Sequence, residues 1–272
     1  MTRVRPELLS PAGDRERLEA AVRYGADAVY LAGKSFGMRS APQNFGEEEL
    51  REAVAYCHAR GVKVYVTCNT LPRNGEFEEL PSFLSACQDM GVDAFIISDL
   101  GVLAPGWERW PPQVERAHHP PHDGQLSTTP PPRSAGSWGP GGWCWPGRCP
   151  SRKLKASGER VDPGLELEAF VHGAMCMSFS GRCVISNYMT GRDATGRVRP
   201  ALPLGVPPGG GPAPGEVYSL VQEEKGAYFF NSNDLRMIDA IPQMMDAGIT
   251  SLKIEGRAKS AYYVACVTAA YR

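Results

Sequence analysis

The sequence of 272 residues contains no uninterrupted apolar run of about 18 residues, the length a helix needs to span a bilayer. Its start, MTRVRPELLSPAGD, has no apolar h-region, so neither a membrane span nor a signal peptide is expected, and the cytoplasm is the expected compartment. The chain also lacks an excess of either charge: 29 Lys and Arg stand against 30 Asp and Glu, a net charge of −1. That balance excludes a strongly basic nucleic-acid binder recognisable by composition alone. No HExxH, Ser/His/Asp or Cys/His arrangement announces a hydrolase. What is present is a globular composition, 42% hydrophobic and 22% charged, at the size of one (β/α)₈ barrel. Eight cysteines without secretory context favour free thiols, metal ligands or redox chemistry over a disulfide framework.

Two windows break the pattern. Residues 104–155 hold all five Trp, three of five His and eleven of 24 Pro, yet no Ile, Phe or Tyr, and residues 198–215 add six more Pro. Neither carries a helical or strand period of apolar residues. One reading is a Pro/Gly-rich linker or insert. The other is translation out of frame, favoured because Trp is seldom left in water. Shifted by one nucleotide, Val198 to Gly205 permits Cys-Ala-Gln-Pro-Cys-Arg-Trp. Shifted by two, Gly142 to Leu154 permits Val-Val-Leu-Ala-Arg-Glu-Val-Ser-Leu, a buried strand leading into a helix.

Elsewhere short β-branched runs alternate with amphipathic helices, which predicts βα units. Strands are predicted at Glu7 to Ser10, Ala28 to Ala32, Val62 to Thr67, Val92 to Ser98, Leu165 to Val171 and Ile249 to Ile254. Helices are predicted at Arg15 to Tyr24, Glu47 to Arg60, Phe77 to Met90, Asp234 to Ala247 and Ser260 to Arg272, with Gly25 and Gly61 as stops. Two further strands belong where the first window lies. The predicted fold is α/β, a TIM-like (β/α) barrel incomplete in the middle, with N-terminal units in 1–103 and the last units in 156–272. The runner-up is an open doubly wound sheet, but no G-x-G-x-x-G follows the first strand. In a barrel, catalytic groups follow the strand C-termini, here Asp14, Lys34, Asn69, Asp99, His172, Glu255 and Arg257. Helix capping is the competing role for Asp14 and Asp99.

The most informative stretch is Glu168 to Ser186, EAFVHGAMCMSFSGRCVIS, with Cys176 and Cys183 seven residues apart around a Gly/Ser-containing loop. Spacing alone fits two inert buried thiols better than a metal site, because zinc and iron-sulfur sites usually take four ligands. The pattern Glu168, Phe170, Gly173, Ala174, Met175, Cys176, Gly181, Cys183, Ile185, Ser186 nevertheless resembles, without a departure, the signature of the collagenase-like peptidases, peptidase family "U" number thirty-two. ELLSPAGD, ADAVYLAG, VKVYVTCNT, ISDLGVL, YMTGRDA, NSNDL and SLKIEGRAKSAYYVA carry the likeness across the rest of the regular chain.

The resemblance implies a TIM-like barrel followed by a smaller C-terminal domain, the chain stopping near the end of the barrel portion. It also implies two chemistries. One is collagenase-like proteolysis of a peptide, for which Cys176 with His172 upstream is the conceivable nucleophile and base. The other is hydroxylation of RNA bases or of a small-molecule precursor by iron-sulfur proteins. There Cys176 and Cys183 are two cluster ligands, and the others come from the Cys-Ala-Gln-Pro-Cys segment that the shifted frame restores and from the position held by Arg236, where similar proteins often carry Cys. On this reading His172, Glu168 and Glu255 are the candidate catalytic groups. Asn69, Asp99, Lys253 and Arg257 are the candidate substrate-binding groups, the cations, with Lys259, facing an anionic substrate or RNA phosphate. A solvated basic helix start is the competing role for those cations. A third expectation is an inactive product of a degraded gene. No membrane association is expected, and the sequence points to no known protein partner.

Overall fold

The computed structural model describes residues 5–34, 44–69, 75–97, 102, 115–118, 141–145, 166–174, 221–223, 226–228 and 234–272. The strands are β1 (Glu7–Pro11), β2 (Ala28–Leu31), β3 (Lys63–Cys68), β4 (Ala94–Ile97), β5 (Glu115–His118), β6 (Gly141–Trp145), β7 (Glu166–Gly173), β8 (Val221–Glu223), β9 (Gly226–Tyr228), β10 (Leu235–Arg236) and β11 (Ser251–Ile254). The helices are α1 (Arg15–Arg23), α2 (Glu47–His58), α3 (Leu80–Asp89), α4 (Ile241–Asp246) and α5 (Ala261–Tyr271).

β1, β2, β3, β4, β5, β6, β7 and β11 pair in parallel around a ring that closes where β11 meets β1. β10 adds antiparallel to the end of β7, and β8 and β9 form a separate pair. The barrel class expected from the sequence stands, with a correction to its middle. β5 and β6 lie inside the anomalous window, so the open edges expected from missing strands do not arise. Parallel strands draw their stability from neighbours on both sides, and closure removes the edge altogether.

Alternation of side chains along each strand separates two cores. Inside the ring lie Leu9, Ala28, Tyr30, Tyr65, Ala94 and Ile96. Outside it Val29, Leu31, Val64, Val66, Phe95 and Ile97 pack against Leu18, Leu50, Val54 and Leu84 of α1, α2 and α3. The rest of the outer layer joins Leu8, Leu167, Val171, Leu252 and Ile254 to Met244 of α4 and Val267 of α5. Each helix begins where the sequence offers a cap or a proline. Asp14 accepts the Arg17 N–H at 3.0 Å and Ser260 accepts the Tyr263 N–H at 3.2 Å. The capping role weighed for Asp14 is therefore the one it fills. Gly61, at φ +68°, takes the left-handed conformation that ends α2.

Two predicted helices come out shorter. The stretch 234–247 is a two-residue strand, a 3₁₀ turn (Ile238–Ala240) and then α4, and the third helix begins at Leu80 after a 3₁₀ turn (Glu76–Glu78). In both, proline follows the first helical residue, at Pro242 and Pro81; proline fits the first turn and breaks a helix interior. No helix among the described residues is long and apolar enough to cross a membrane.

Candidate active site at the barrel mouth

A polar column runs up the inside of the ring from the strand starts to their C-terminal ends. At the base, Glu7 accepts the Tyr65 hydroxyl at 2.8 Å and lies 3.5 Å from Lys63 Nζ. Burial pushes its carboxyl above the ordinary value, while the Tyr65 hydrogen bond and the Lys63 charge pull the other way. Halfway up, Lys253 Nζ meets Glu168 Oε1 at 2.7 Å, the two side chains 2% and 6% exposed. The same ammonium lies 5.0 Å from the Tyr30 ring centre and 5.4 Å from that of Phe170, within cation–π reach. Tyr30 donates to the Ile254 carbonyl at 2.9 Å and stands 3.3 Å from Glu255 Oε2.

At the mouth, buried Arg257 donates from Nη1 to Thr67 Oγ1 at 3.4 Å. Two residues on, Asn69 follows the end of β3 on the same face as Thr67. Asn69 is 7% exposed, and its Oδ1 is the buried side-chain polar atom without a hydrogen-bond partner among the described residues. Leaving such an acceptor unpaired costs about 1–3 kcal/mol, a cost a ligand donor can remove.

The turn carrying Arg257 is locked to the turn after β1. A Cβ on Gly13 would overlap the Arg257 carbonyl oxygen, so only glycine lets these two backbones touch. Arg17, paired with Asp14, also donates from Nε to the Lys259 carbonyl.

The structure thus joins Lys253 to Glu168, and Arg257 to the strand that Asn69 directly follows, while Glu255 flanks the column beside Tyr30. His172 stands apart. Its ring packs against Tyr263 and Tyr271 of α5, with centroids 5.9 and 5.6 Å away, and its Nδ1 lies 3.3 Å from the Tyr271 hydroxyl. Burial lowers its pKa, which keeps the imidazole neutral at physiological pH. Lys34 is largely exposed and pairs with Glu49. Asp99, Cys176 and Cys183 lie outside the described residues. Sequence reasoning missed Tyr30, Tyr65 and Thr67; the signal available was period-two alternation, which puts them on the face shared by Leu9 and Lys253.

The described residues do not build an iron-sulfur site. Among them no group of three or more His, Cys, Asp or Glu could hold a metal ion. Cys57 and Cys87 are buried and their thiols are pushed up to about 12, and burial raises Cys68 as well.

The sequence profile of Peptidase family U32 matches residues 13–114 and 152–272. The chain belongs to this family. The residues the U32 profile skips, 115–151, fall within the first anomalous window. Among curated U32-like relatives, "tRNA hydroxylation protein P1" of Bacillus subtilis is 37% identical across 98% of this chain and 62% of its own length. The "23S rRNA 5-hydroxycytidine C2501 synthase" of Escherichia coli is 32% identical across 98% of this chain and 39% of its own length. The chain therefore spans less than two thirds of each of these relatives. Of solved structures, a chitinase from Rhizomucor miehei superposes with a TM-score of 0.51 at 10% identity, over 97% of this chain and 99% of the other, a likeness of fold alone.

Proposed function

We propose that this U32 chain is the barrel of an enzyme that hydroxylates RNA bases, acting in the cytoplasm. The observation that carries the reading is the polar mouth, where Arg257, Thr67 and Asn69 gather at the strand C-termini, the face that bears the active site in barrel enzymes. The relatives named for tRNA and rRNA hydroxylation support it. The chemistry of the mouth divides accordingly. Arg257 supplies a fixed cation for a phosphate or a base carbonyl. Below it, Lys253 and Glu168 form a charge-paired floor, and Leu9, Ala94 and Ile96 fill the ring as a buried apolar layer.

Oxidation of a base C–H bond requires a redox centre. On this proposal Cys176 and Cys183 would be two thiolate ligands of an iron-sulfur cluster that supplies that chemistry. The side chains described here bind and orient; none of their roles passes through that cluster. Among the described residues the peptidase reading has no geometric support: His172 faces the Tyr271 hydroxyl, and Cys176 lies outside them.

The test is expression in cells stripped of their own U32 proteins, with mass spectrometry of nucleosides from purified tRNA and rRNA. Hydroxylated pyrimidines are expected with the wild-type chain and not with Arg257→Met. Unchanged RNA together with gelatin turnover that Cys176→Ala abolishes would reverse the assignment to a peptidase. Unchanged RNA without any turnover would mark an inactive product.

A further inference from the structure

We infer that Asn69 is the group that reads the base: its Oδ1 accepts the Watson–Crick N–H of the nucleobase drawn into the barrel mouth. The inference rests on the RNA reading above and narrows it to one atom. β3 alternates its side chains, so Tyr65, Thr67 and Asn69 share the inner face; Tyr65 belongs to the interior core and Thr67 meets Arg257 across the ring. Asn69 is therefore the next inward position, at the rim. It is more than nine-tenths buried, and its amide oxygen finds no donor among the described residues.

An amide oxygen only accepts, which restricts what can satisfy it. Phosphate and carboxylate groups offer no donor at neutral pH, so an anion held by Arg257 cannot also meet Asn69 Oδ1. RNA offers two kinds of donor, the N–H groups on base edges and the ribose hydroxyl. Depth decides between them. An acceptor whose residue is only 7% exposed is reached by a flat base turned out of its strand, whereas the ribose stays with the backbone outside. Contacts to phosphate position the strand and contacts to the base edge specify it, which gives Arg257 and Asn69 separate tasks.

The experiment measures binding of the full chain to short fluorescent single-stranded RNAs by anisotropy. The probes carry one uridine or 3-methyluridine, one cytidine or N4,N4-dimethylcytidine, and matched 2′-deoxy versions. For the base the wild-type chain prefers, masking its N–H is expected to weaken binding about tenfold, the worth of one hydrogen bond at a buried acceptor. Asn69→Leu should weaken the unmasked probe by the same factor and bind both probes alike. Asn69→Asp, which retains an acceptor oxygen, should retain the discrimination. It also keeps the test decisive if the leucine variant unfolds, and thermal unfolding of each variant is recorded alongside. Equal binding of masked and unmasked probes by the wild type overturns the assignment, as does discrimination that survives in a folded Asn69→Leu. A loss produced by 2′-deoxy substitution but not by base masking moves the donor to the ribose and overturns it too. If the wild-type chain binds no RNA, the RNA reading itself falls and this inference with it, a result distinct from the others.

Discussion

The buried pair Lys253–Glu168 should make single substitutions far more damaging than the double one. At 2.7 Å, with an effective dielectric constant of about 20, the attraction is about 6 kcal/mol. Desolvation of two side chains only 2% and 6% exposed opposes it by several kcal/mol per ion, so the pair's net contribution is small. Remove one partner and the attraction goes while the other charge remains inside the ring. Lys253→Met and Glu168→Leu should each cost about 3–5 kcal/mol. The double variant fills the same space with apolar atoms and should lie within about 1 kcal/mol of the wild type, a coupling of about 5 kcal/mol or more. Urea unfolding followed by circular dichroism gives these differences, provided the slopes agree between variants. In thermal scans each single variant should melt about 10 °C lower, at the few degrees per kcal/mol usual for a domain of this size. A single substitution costing under about 1 kcal/mol, or a double variant as unstable as the two singles summed, would refute the reasoning.

Gly13→Ala should destabilise by about 1–3 kcal/mol, because the new methyl overlaps the Arg257 carbonyl, and should weaken RNA binding by displacing Arg257; unchanged melting would mean the two turns part freely. Glu7 has a folded-state pKa raised above 4.5, so the stability it contributes is fully present below that value and is lost as pH rises through the folded one. The stability of wild type relative to Glu7→Gln should accordingly fall as pH rises above 4.5 in urea titrations, and a flat difference would contradict the burial. Sequencing the genomic DNA across codons 100–240 is expected to reveal single-base indels that bring Cys-Ala-Gln-Pro-Cys into frame. An unchanged read would leave the windows as genuine protein sequence.

Much of this fold is legible because β-branched runs and amphipathic helices have different periods. Glu7 to Ser10 and Ala28 to Ala32 emerge within a residue of β1 and β2, and Asp14 and Gly61 mark helix ends by their own chemistry. The ring closure is not legible. β5 and β6, ERAH and GGWCW, have no apolar alternation, and pairing with β4 and β7 is what makes them strands. His172 shows how a local rule is overridden. Glu168 and Phe170 point inward, so simple alternation sends His172 into the mouth. The register between β7 and β11 slips there: Lys253 pairs with Phe170, but Ile254 pairs with His172. A slip of one residue exchanges faces, and His172 joins the outward Ile254 against the α5 tyrosines. Nor could spacing join Lys253 to Glu168, which are 85 residues apart in sequence.

The distribution of the polar column around the ring bears on what the anomalous window can affect. Glu7, Tyr30, Tyr65, Thr67 and Asn69 come from the first three strands and their ends, and Glu168, Lys253, Glu255 and Arg257 from β7, β11 and the turn after it. These strands are neighbours, in the order β7, β11, β1, β2, β3, so the column is one continuous side of the barrel. β5 and β6 stand on the opposite side and join β4 to β7. Replacing their residues by those of another reading frame would change the far wall and its packing while leaving the Arg257–Thr67 and Tyr30–Ile254 hydrogen bonds intact. The groups proposed to hold RNA therefore do not depend on the window, whereas completing the ring around them does.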